Sequence, residues 1–229
     1  MFLDVDGTLI DFAPTPDAAR AEPGLPLRLV ELSRRFDGAL ALVSGRAIES
    51  LDRLFAPVRL PAAGIHGVER RDYRGQLHFA GFEPAELNEP RRRLRDFVAA
   101  HPGTLLEDKG RSLALHYRLA PHLQSVAQEF VQSLHRDLPP LTQVQPGHFV
   151  IEIKSEIANK ATAIEEFMQE PPFAGRVPVF IGDDVTDWDG FRYVEAAGGH
   201  AIYVGPTPHP QRGWFPDPAS VRQWLEEML

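Results

Sequence analysis

The sequence FLDVDGTL (residues 2–9) opens the chain with a short apolar run that leads into two aspartates, a glycine and a threonine. If this run is a buried strand, Asp4 lies at its carboxyl end, where open α/β sheets bind their ligands. Asp6 can project toward the same crevice, Gly7 permits a sharp turn, and Thr8 offers a hydroxyl and an amide to an anion. An ordinary Asx-Gly turn would explain one aspartate and the glycine, but not Asp4.

The charge of this motif has a direct consequence. Two carboxylates at roughly 4 Å repel each other by about 4 kcal/mol in a partly screened environment. Asp4 and Asp6 therefore both stay ionised only if a cation lies between them, and otherwise one of them holds a proton. The apolar run before Asp4 is shorter than a usual strand of about five to six residues. We therefore expect further residues of this strand to precede Met1 in the native chain.

The sequence GDDVTD (residues 182–187) repeats the arrangement after another apolar run. Capping of a helix N-terminus would account for Thr186 or Asp187. It would not account for three acids that converge with Asp4 and Asp6, because five carboxylates in one crevice would carry a charge of about −5. Such a charge requires a hard divalent cation, and oxygen ligands without His or Cys favour Mg²⁺ over Zn²⁺. The cofactor that we expect is Mg²⁺.

Apolar runs and amphipathic patterns alternate at both ends of the chain. Runs typical of strands buried on both faces are followed by apolar residues at helical spacing. Further strands are predicted at 39–43, 177–181 and 201–204, and helices within 25–36, 48–55 and 161–168. This alternation predicts an α/β fold with a doubly wound, Rossmann-like parallel sheet.

The middle of the chain has a different pattern. From about residue 84 to residue 154 it runs helix, strand, strand, helix, strand, strand, with strands expected at 113–117 and 149–153. Pro146 and Gly147 are expected to turn the second hairpin. We interpret the segment as a small α+β insert within the α/β core.

The domain boundaries follow from these two patterns. Residues 1–83 and 155–229 form the predicted catalytic core, and residues 84–154 form the predicted insert. The proline-rich segment 205–218 is expected to be a long loop before a closing helix around 219–229. A ligand for a proline-binding module is the alternative interpretation of that segment.

Composition limits the classes of function. The net charge is −8, from 24 Lys and Arg against 32 Asp and Glu, which disfavours nucleic acid or a polybasic membrane surface as a partner. The absence of cysteine excludes disulfides, thiolate zinc sites and a Cys nucleophile. No apolar run of about 18 residues and no leader pattern is found. We therefore expect a cytoplasmic monomer that acts on a small molecule.

Two further segments follow predicted strands. VSGR (residues 43–46) opens the helix within 48–55, so that Ser44 faces an anion at a helix N-terminus, although a plain Ser N-cap is the alternative. Lys160 starts the helix within 161–168 and offers a fixed cation, although a lysine in a first turn is usually a solvated one. Each signal alone is weak, and the ordered set of four is a strong one.

In that order the motifs resemble those of the haloacid dehalogenase superfamily of aspartate-based phosphotransferases. The resemblance covers nearly the whole chain. It implies that Asp4 is the nucleophile, that Asp6 is the general acid and then the general base, and that Ser44 and Lys160 hold the phosphoryl oxygens.

The same resemblance implies a set of ligands for Mg²⁺. The ion would be held by the carboxylate of Asp4, the backbone carbonyl of Asp6 and Asp183, with Asp187 or Asp184 in support. An acid in the position of Asp6 typically contributes about two to four decades in rate when it protonates a leaving group.

A closer resemblance is to the trehalose-6-phosphate phosphatase family. It rests on GIHG at 64–67 with Glu69, on EDKG at 107–110 running on to His116-Tyr117-Arg118, and on the intact GDDVTD. It implies that the insert is an α+β cap of the C2 type that selects the substrate. The implied reaction hydrolyses trehalose 6-phosphate to trehalose and phosphate through a phosphoaspartate.

The family resemblance also implies which residues contact the substrate. Lys109 and Glu152 of the cap would bind glucose hydroxyls, with His66 and Arg46 on the core side. Without the resemblance, Lys109 would be interpreted as a solvated turn lysine and Glu152 as a glutamate on a strand face. The full set of expected substrate-binding residues is Thr8, Gly45, Arg46, His66, Lys109, His148 and Glu152.

The sequence departs from the family pattern at three positions. His148 replaces a lysine after the glycine of the last cap hairpin, which makes one sugar contact weaker or pH-dependent. Ala161 replaces a glycine after the motif lysine, a change that a helix accepts easily. Trp188 replaces a glutamate after GDDVTD, and the sequence offers no physical account of it.

Other functions compete with this interpretation. The same chemistry would suit another sugar phosphate, such as sucrose phosphate, or transfer to a second sugar as in a mutase. A phosphorylatable signalling module also combines clustered acids, a hydroxyl and a lysine, but it needs neither Asp6 nor a cap. A catalytically inactive protein that binds sugar phosphate is a further alternative.

Overall fold

The structure is a computed structural model that describes residues 1–13, 15, 18–147 and 149–229. The chain divides into two compact units. The core unit comprises Met1–Phe79 and Asn159–Leu229, and the inserted unit comprises Ala80–Ala158. Among the described residues, no helix combines the length and the apolar composition that crossing a membrane requires.

The core unit is built on a single eight-stranded sheet. Its strands are β1 (Phe2–Leu3), β2 (Ala41–Val43), β3 (Ala62–Gly64), β4 (Glu69–Arg71), β5 (Leu77–Phe79), β10 (Val179–Gly182), β11 (His200–Val204) and β12 (Gly213–Phe215), with β6 to β9 lying in the inserted unit. The order is β12-β11-β10-β1-β2-β3-β4-β5, and only the pairs β3–β4 and β4–β5 are antiparallel. The predicted doubly wound parallel sheet is confirmed.

The helices of the core unit cover both faces of this sheet. They are α1 (Leu25–Arg35), α2 (Ile48–Leu54), α5 (Lys160–Met168), α6 (Trp188–Ala196) and α7 (Pro218–Glu227), with α3 and α4 in the inserted unit. Strand β1 shows why two layers form, because its neighbouring residues face opposite sides. Leu3 packs into the cluster that contains Leu29 and Leu225, whereas Phe2 packs with Phe167.

Four strands of the core sheet were absent from the sequence prediction. Strands β3, β4 and β5 have three residues each, too few to show a period of two. The proline-rich segment was predicted to be a loop, but β12 lies inside it and pairs in parallel with β11. That prediction was wrong, because the prolines flank β12 and leave its three residues free to pair.

The inserted unit is a separate α+β layer. It contains α3 (Asn88–Ala100), β6 (Leu105–Asp108), β7 (Leu113–His116), α4 (Gln124–Ser133), β8 (Thr142–Gly147) and β9 (Val150–Ser155). Its antiparallel sheet has the order β6-β7-β9-β8. The predicted order of helices and strands in this segment is therefore confirmed.

One turn of the inserted unit was predicted wrongly. Pro146 and Gly147 belong to strand β8 and pair with Ile151 and Val150, so they do not form the turn of the hairpin. Gly147 pairs with Val150, so the strand pairing extends through Gly147.

Candidate active site

Acidic side chains from two neighbouring strand ends meet at the carboxyl edge of the core sheet. Asp4 follows β1, which pairs in parallel with β10, and Asp183 follows β10. Oxygen atoms of Asp4, Asp183 and Asp187 lie within 4.8 Å of one another. The structure thus brings together three of the five acids that the sequence analysis placed in one crevice.

The ammonium of Lys160 lies inside this acidic cluster. Helix α5 begins at Lys160 because the side chain of Asn159 accepts a hydrogen bond from the amide of Thr162, and the Thr162 hydroxyl accepts from the amide of Asn159. From this fixed start, Nζ of Lys160 donates to Oδ1 of Asp4 at 2.7 Å and to Oδ1 of Asp187 at 2.5 Å. Lys160 is only 3% exposed.

The balance of charge in the cluster is unfavourable without a further cation. Burial opposes the charge of Lys160, but Asp187 and Asp4 hold its pKa above the usual value. Burial and the charges of Asp4 and Asp187 raise the pKa of Asp183 to about 9, and burial with the charge of Asp4 raises the pKa of Asp187 to about 6. Three ionised carboxylates would outnumber the one ammonium, so without a further cation the raised pKa of Asp183 keeps a proton on the cluster at neutral pH.

Asp187 also fixes the backbone around Asp183. Its Oδ2 accepts hydrogen bonds from the amides of Asp183 at 3.0 Å and of Asp184 at 2.9 Å. Asp184 itself is exposed and caps the following turn by accepting from the amide of Val185 at 2.6 Å. Asp187 thus orients the loop that carries Asp183, whereas Asp184 caps the turn that begins at Val185.

Two glycines make room for the acids. Gly7 has a φ of 82°, and a Cβ at this position would lie 2.2 Å from Oδ2 of Asp183. A Cβ at Gly182 would lie 2.5 Å from Cγ of Asp187. The cradle therefore admits no side chain at either position. Its donors are carboxylate oxygens only, and together with the raised pKa of Asp183 this fits a hard divalent cation such as Mg²⁺.

Two hydroxyls lie at this edge of the sheet. Thr8 is fully buried, and its hydroxyl donates to Oδ1 of Asp183 at 3.3 Å. Ser44 follows β2 and is 1% exposed, and its Oγ accepts from the amide of Arg46 at 3.1 Å. Hydrogen bonds within the chain therefore fix the positions of both hydroxyls.

The carboxylate of Asp6 is engaged by Arg46 rather than by the acidic cluster. Nε of Arg46 donates to Oδ2 of Asp6 at 2.7 Å, and the terminal nitrogen Nη2 donates to Oδ1 at 2.7 Å. This bidentate geometry is the strongest that an arginine and a carboxylate form. The resemblance assigned Arg46 to the substrate, and the sequence held no local signal for its pairing with Asp6.

The GIHG segment grips the loop that carries Ser44. Ile65 and His66 have φ values of 49° and 54°, a left-handed conformation that is rare outside glycine and strained for the β-branched Ile65. The amide of His66 donates to the carbonyl of Ser44 at 2.9 Å, and the amide of Ile65 donates to the carbonyl of Arg46 at 2.9 Å. A Cβ at Gly45 would lie 2.6 Å from Nε2 of His66, so Gly45 permits this close approach.

The role of Glu69 could not be read from the sequence. Its Oε1 accepts from the amide of Ile48 at 2.5 Å and so caps the start of α2, the helix that follows the Ser44 loop. Glu69 lies on the short strand β4, which shows no alternating pattern. It therefore stabilises the loop without being part of the acidic cluster.

Of the substrate residues predicted for the insert, Glu152 lies on β9 and Lys109 directly follows β6. Nζ of Lys109 donates to Oε1 of Glu152 at 2.9 Å, and both side chains are 11% exposed. Glu107 lies 2.9 Å from Nε2 of His116. Burial opposes the charge of Glu107, yet the hydrogen bond from His116 keeps its pKa below the usual value. His148 lies outside the described residues.

Comparison with known proteins gives a consistent result. The family model described as trehalose-phosphatase matches residues 2–214. A probable trehalose-phosphate phosphatase of Sinorhizobium fredii is 46% identical over 207 residues, which cover 90% of this chain and 77% of the relative. The trehalose-6-phosphate phosphatase of Escherichia coli is 41% identical over 229 residues, which cover 98% of this chain and 84% of the relative.

Solved structures agree in fold. The C-terminal domain of Candida albicans trehalose-6-phosphate phosphatase is 21% identical and has a TM-score of 0.81, with 99% of this chain and 90% of that chain covered. A trehalose-6-phosphate phosphatase related protein is 25% identical and has a TM-score of 0.79, with 99% and 95% covered.

The fold and the acidic centre define a phosphatase of the haloacid dehalogenase superfamily. With its family model covering most of the chain and relatives above 40% identity, the chain belongs to the trehalose-phosphatase family.

Proposed function

We propose that the protein is a Mg²⁺-dependent phosphatase that hydrolyses trehalose 6-phosphate to trehalose and phosphate through a phosphoaspartate at Asp4. The observation that carries the proposal is the buried cluster in which Lys160 bridges Asp4 and Asp187 beside Asp183. The substrate is the one named for the Escherichia coli relative.

The first step transfers the phosphoryl group to Asp4. A carboxylate oxygen of Asp4 attacks phosphorus, and the bond between phosphorus and the sugar oxygen breaks. The sugar oxygen takes a proton from Asp6, for which Asp6 has to exchange its contact with Arg46 for the leaving group. Lys160 and the hydroxyls of Thr8 and Ser44 hold the phosphoryl oxygens.

The second step regenerates the enzyme. A water molecule gives a proton to Asp6 and attacks phosphorus, and the bond between phosphorus and Asp4 breaks. Asp4, Asp183 and the backbone carbonyl of Asp6 would hold Mg²⁺, with Asp187 in support by orienting the Asp183 loop. When bound, Mg²⁺ supplies the positive charge that lets an anionic nucleophile approach an anionic ester.

We propose further that the inserted unit is the substrate cap. Its support is the largely buried ion pair between Lys109, which follows β6, and Glu152 of β9. Charged groups that lie on a partly buried face and keep donors and acceptors fixed are suited to sugar hydroxyls. The family resemblance also assigns His148 to the substrate, and this assignment stays a prediction.

Phosphate release from a panel of phosphorylated sugars tests the substrate. We expect trehalose 6-phosphate to be hydrolysed at least about tenfold faster than sucrose 6-phosphate or glucose 6-phosphate, because a sugar contact that is lost leaves buried polar groups unpaired. EDTA should remove the activity and Mg²⁺ should restore it. Equal turnover across the panel would contradict the trehalose assignment.

Mass spectrometry of acid-quenched enzyme tests the phosphoaspartate. A phosphate on the peptide that contains Asp4, present during turnover and absent once substrate is consumed, is the expected result. A phosphate that persists for hours would favour the signalling module instead. The cytoplasmic location and the monomeric state that the sequence predicts stay predictions.

A further inference from the structure

Trp188 occupies a notable position beside the acidic cluster. It follows Asp187 directly and begins α6, yet its side chain does not enter the core and is 36% exposed. Its ring lies 6.5 Å from the ring of Phe191, one turn further along the same helix. The structure therefore places a large aromatic side chain at the surface, next to the residue that orients the Asp183 loop.

Arg212 covers this aromatic surface. Its guanidinium lies 4.8 Å from the ring centre of Trp188 and 5.0 Å from that of Phe191. The same guanidinium makes two hydrogen bonds to Glu195, at 2.6 Å and 3.1 Å. The hydrogen bond to Arg212 holds the pKa of Glu195 below its usual value. Arg212 is thus fixed both by a carboxylate and by aromatic faces, and its side chain is 9% exposed.

The segment that carries Arg212 is closed on itself. The indole nitrogen of Trp214 donates to the carbonyl of Gly205 at 2.7 Å, and the amide of Gly205 donates to the carbonyl of Phe215 at 3.0 Å. Within the segment, the ring of His209 lies 5.8 Å from that of Trp188 and 6.1 Å from that of Tyr203. Residues 205–215 therefore form a segment whose two ends are hydrogen-bonded to each other and which packs on α6 through Trp188.

The first two residues of this segment line a cavity that is also lined by Asp183 of the acidic cluster. The cavity has a volume of about 240 Å³. Gly7, Asp183, Gly205 and Pro206 are among the residues that line it. A shift of this segment at Gly205 and Pro206 would therefore change the space beside Asp183.

We propose that Trp188, Arg212 and Glu195 form a clasp that positions the Asp183–Asp187 loop for a divalent cation by tying residues 205–215 to the start of α6. Trp188 and Arg212 act here as positioning residues, because they lie outside the acidic cluster of Asp4, Asp183 and Asp187. The clasp gives a physical role to the tryptophan that replaces the glutamate expected at this position. This inference rests on the proposed function, because the cation is taken to be Mg²⁺.

Calorimetric titration of the full-length protein with Mg²⁺, without substrate, tests the clasp. In Arg212→Gln and Trp188→Ala we expect the dissociation constant to rise about tenfold, the size of effect seen when groups behind a metal ligand are removed. Trp188→Phe keeps an aromatic face for Arg212 and should bind Mg²⁺ within about twofold of the wild type. Arg53→Gln is the matched control, because Arg53 also pairs with a glutamate on a helix, Glu49 of α2.

Thermal unfolding in EDTA separates positioning from folding. The variants should unfold as cooperatively as the wild type, and if Arg212→Gln does not fold, Glu195→Gln takes its place with the same expected direction. Wild-type Mg²⁺ affinity in a folded Arg212→Gln or Glu195→Gln would overturn the clasp. A wild-type protein that binds no Mg²⁺ would instead overturn the proposed cofactor, and the clasp's role in holding it.

Discussion

A largely buried lysine of the core unit and one of the inserted unit lie in different charge environments. Lys160 of the core unit contacts Asp4 and Asp187, and Asp183 belongs to the same cluster. In the inserted unit, Lys109 forms an ion pair with Glu152 at 2.9 Å. The first cluster holds more negative charge than its ammonium neutralises, whereas Lys109 forms an ion pair with one carboxylate and also interacts electrostatically with Glu107, which is itself paired with His116.

This difference indicates whether the charges around each lysine are balanced within the chain or need a proton or cation from solution. An ion pair within the chain is satisfied by its own residues and needs nothing from solution. Clustered carboxylates with one ammonium need either a bound proton or a cation. The core centre is therefore expected to respond strongly to metal and pH, and the inserted pair to respond to the shape of the substrate.

The largest effect is expected from Asp4→Asn. The amide is similar in size but is not a nucleophile, so turnover of trehalose 6-phosphate should fall by at least about 10³-fold. Phosphate release measures this, and circular dichroism with thermal unfolding checks the fold. Asp96→Asn, on an exposed face of α3, is the control. Activity near that of the wild type would exclude Asp4 as the nucleophile.

Lys160→Gln should have the next largest effect, this time on stability. Removing the ammonium leaves buried carboxylates without their partner, which typically costs about 3 to 5 kcal/mol of unfolding free energy. Urea unfolding in EDTA measures the loss, and Mg²⁺ should recover part of it. Lys109→Gln is the matched substitution in the inserted unit, and an equal loss there would remove the contrast between the two lysines.

The pH dependence of stability sharpens the contrast further. In the folded, metal-free protein the pKa of Asp183 is raised from 3.8 to about 9. The unfolded chain releases this proton near pH 4, whereas the folded state keeps it up to about pH 9. Because the folded state binds more protons in this window, stability falls as pH rises, by at most about 1.4 kcal/mol per pH unit.

Asp183→Asn tests this sign directly. The variant lacks the titrating group, so in EDTA its stability relative to the wild type should increase from pH 5 to pH 8. It should also lose the rise in Tm that Mg²⁺ gives the wild type. Thermal unfolding at several pH values measures both, and parallel pH curves for the two proteins would show that Asp183 does not hold the proton.

The smallest effect is expected in the inserted unit. Glu152→Gln should lower kcat/KM for trehalose 6-phosphate about tenfold, which corresponds to about 1.4 kcal/mol. It should leave the hydrolysis of p-nitrophenyl phosphate within about twofold of the wild type. The ratio of the two substrates is the measurement. Equal losses on both would indicate that Glu152 supports the fold and does not contact sugar.

The sequence predicted the position of a residue wherever one local sequence pattern was enough to assign it to the end of a strand. Asp4 and Asp183 could be brought together because each follows an apolar run, and parallel strands end at the same edge of a sheet. The alternation of strands and helices predicted the doubly wound sheet, because such alternation is typical of parallel βαβ units. Neither conclusion requires knowledge of side-chain contacts.

The rest depends on contacts between residues far apart in the chain. The pairing of Asp6 with Arg46 spans 40 residues, and nothing in the local pattern distinguishes it from a contact with substrate. Strand β12 has only three residues between prolines, so its membership in the sheet follows from pairing with β11. Trp188 gains a role only when Arg212 is seen beside it.

The capping of α5 by Asn159 has a consequence for evolution. The inserted unit ends at Ala158, and Lys160 comes two residues later, with its helix begun by Asn159 and Thr162 of the core unit. The ammonium is therefore anchored independently of whatever segment precedes Asn159. In evolution, exchange of the segment before Asn159 would leave the start of α5 and the contacts of Lys160 unchanged.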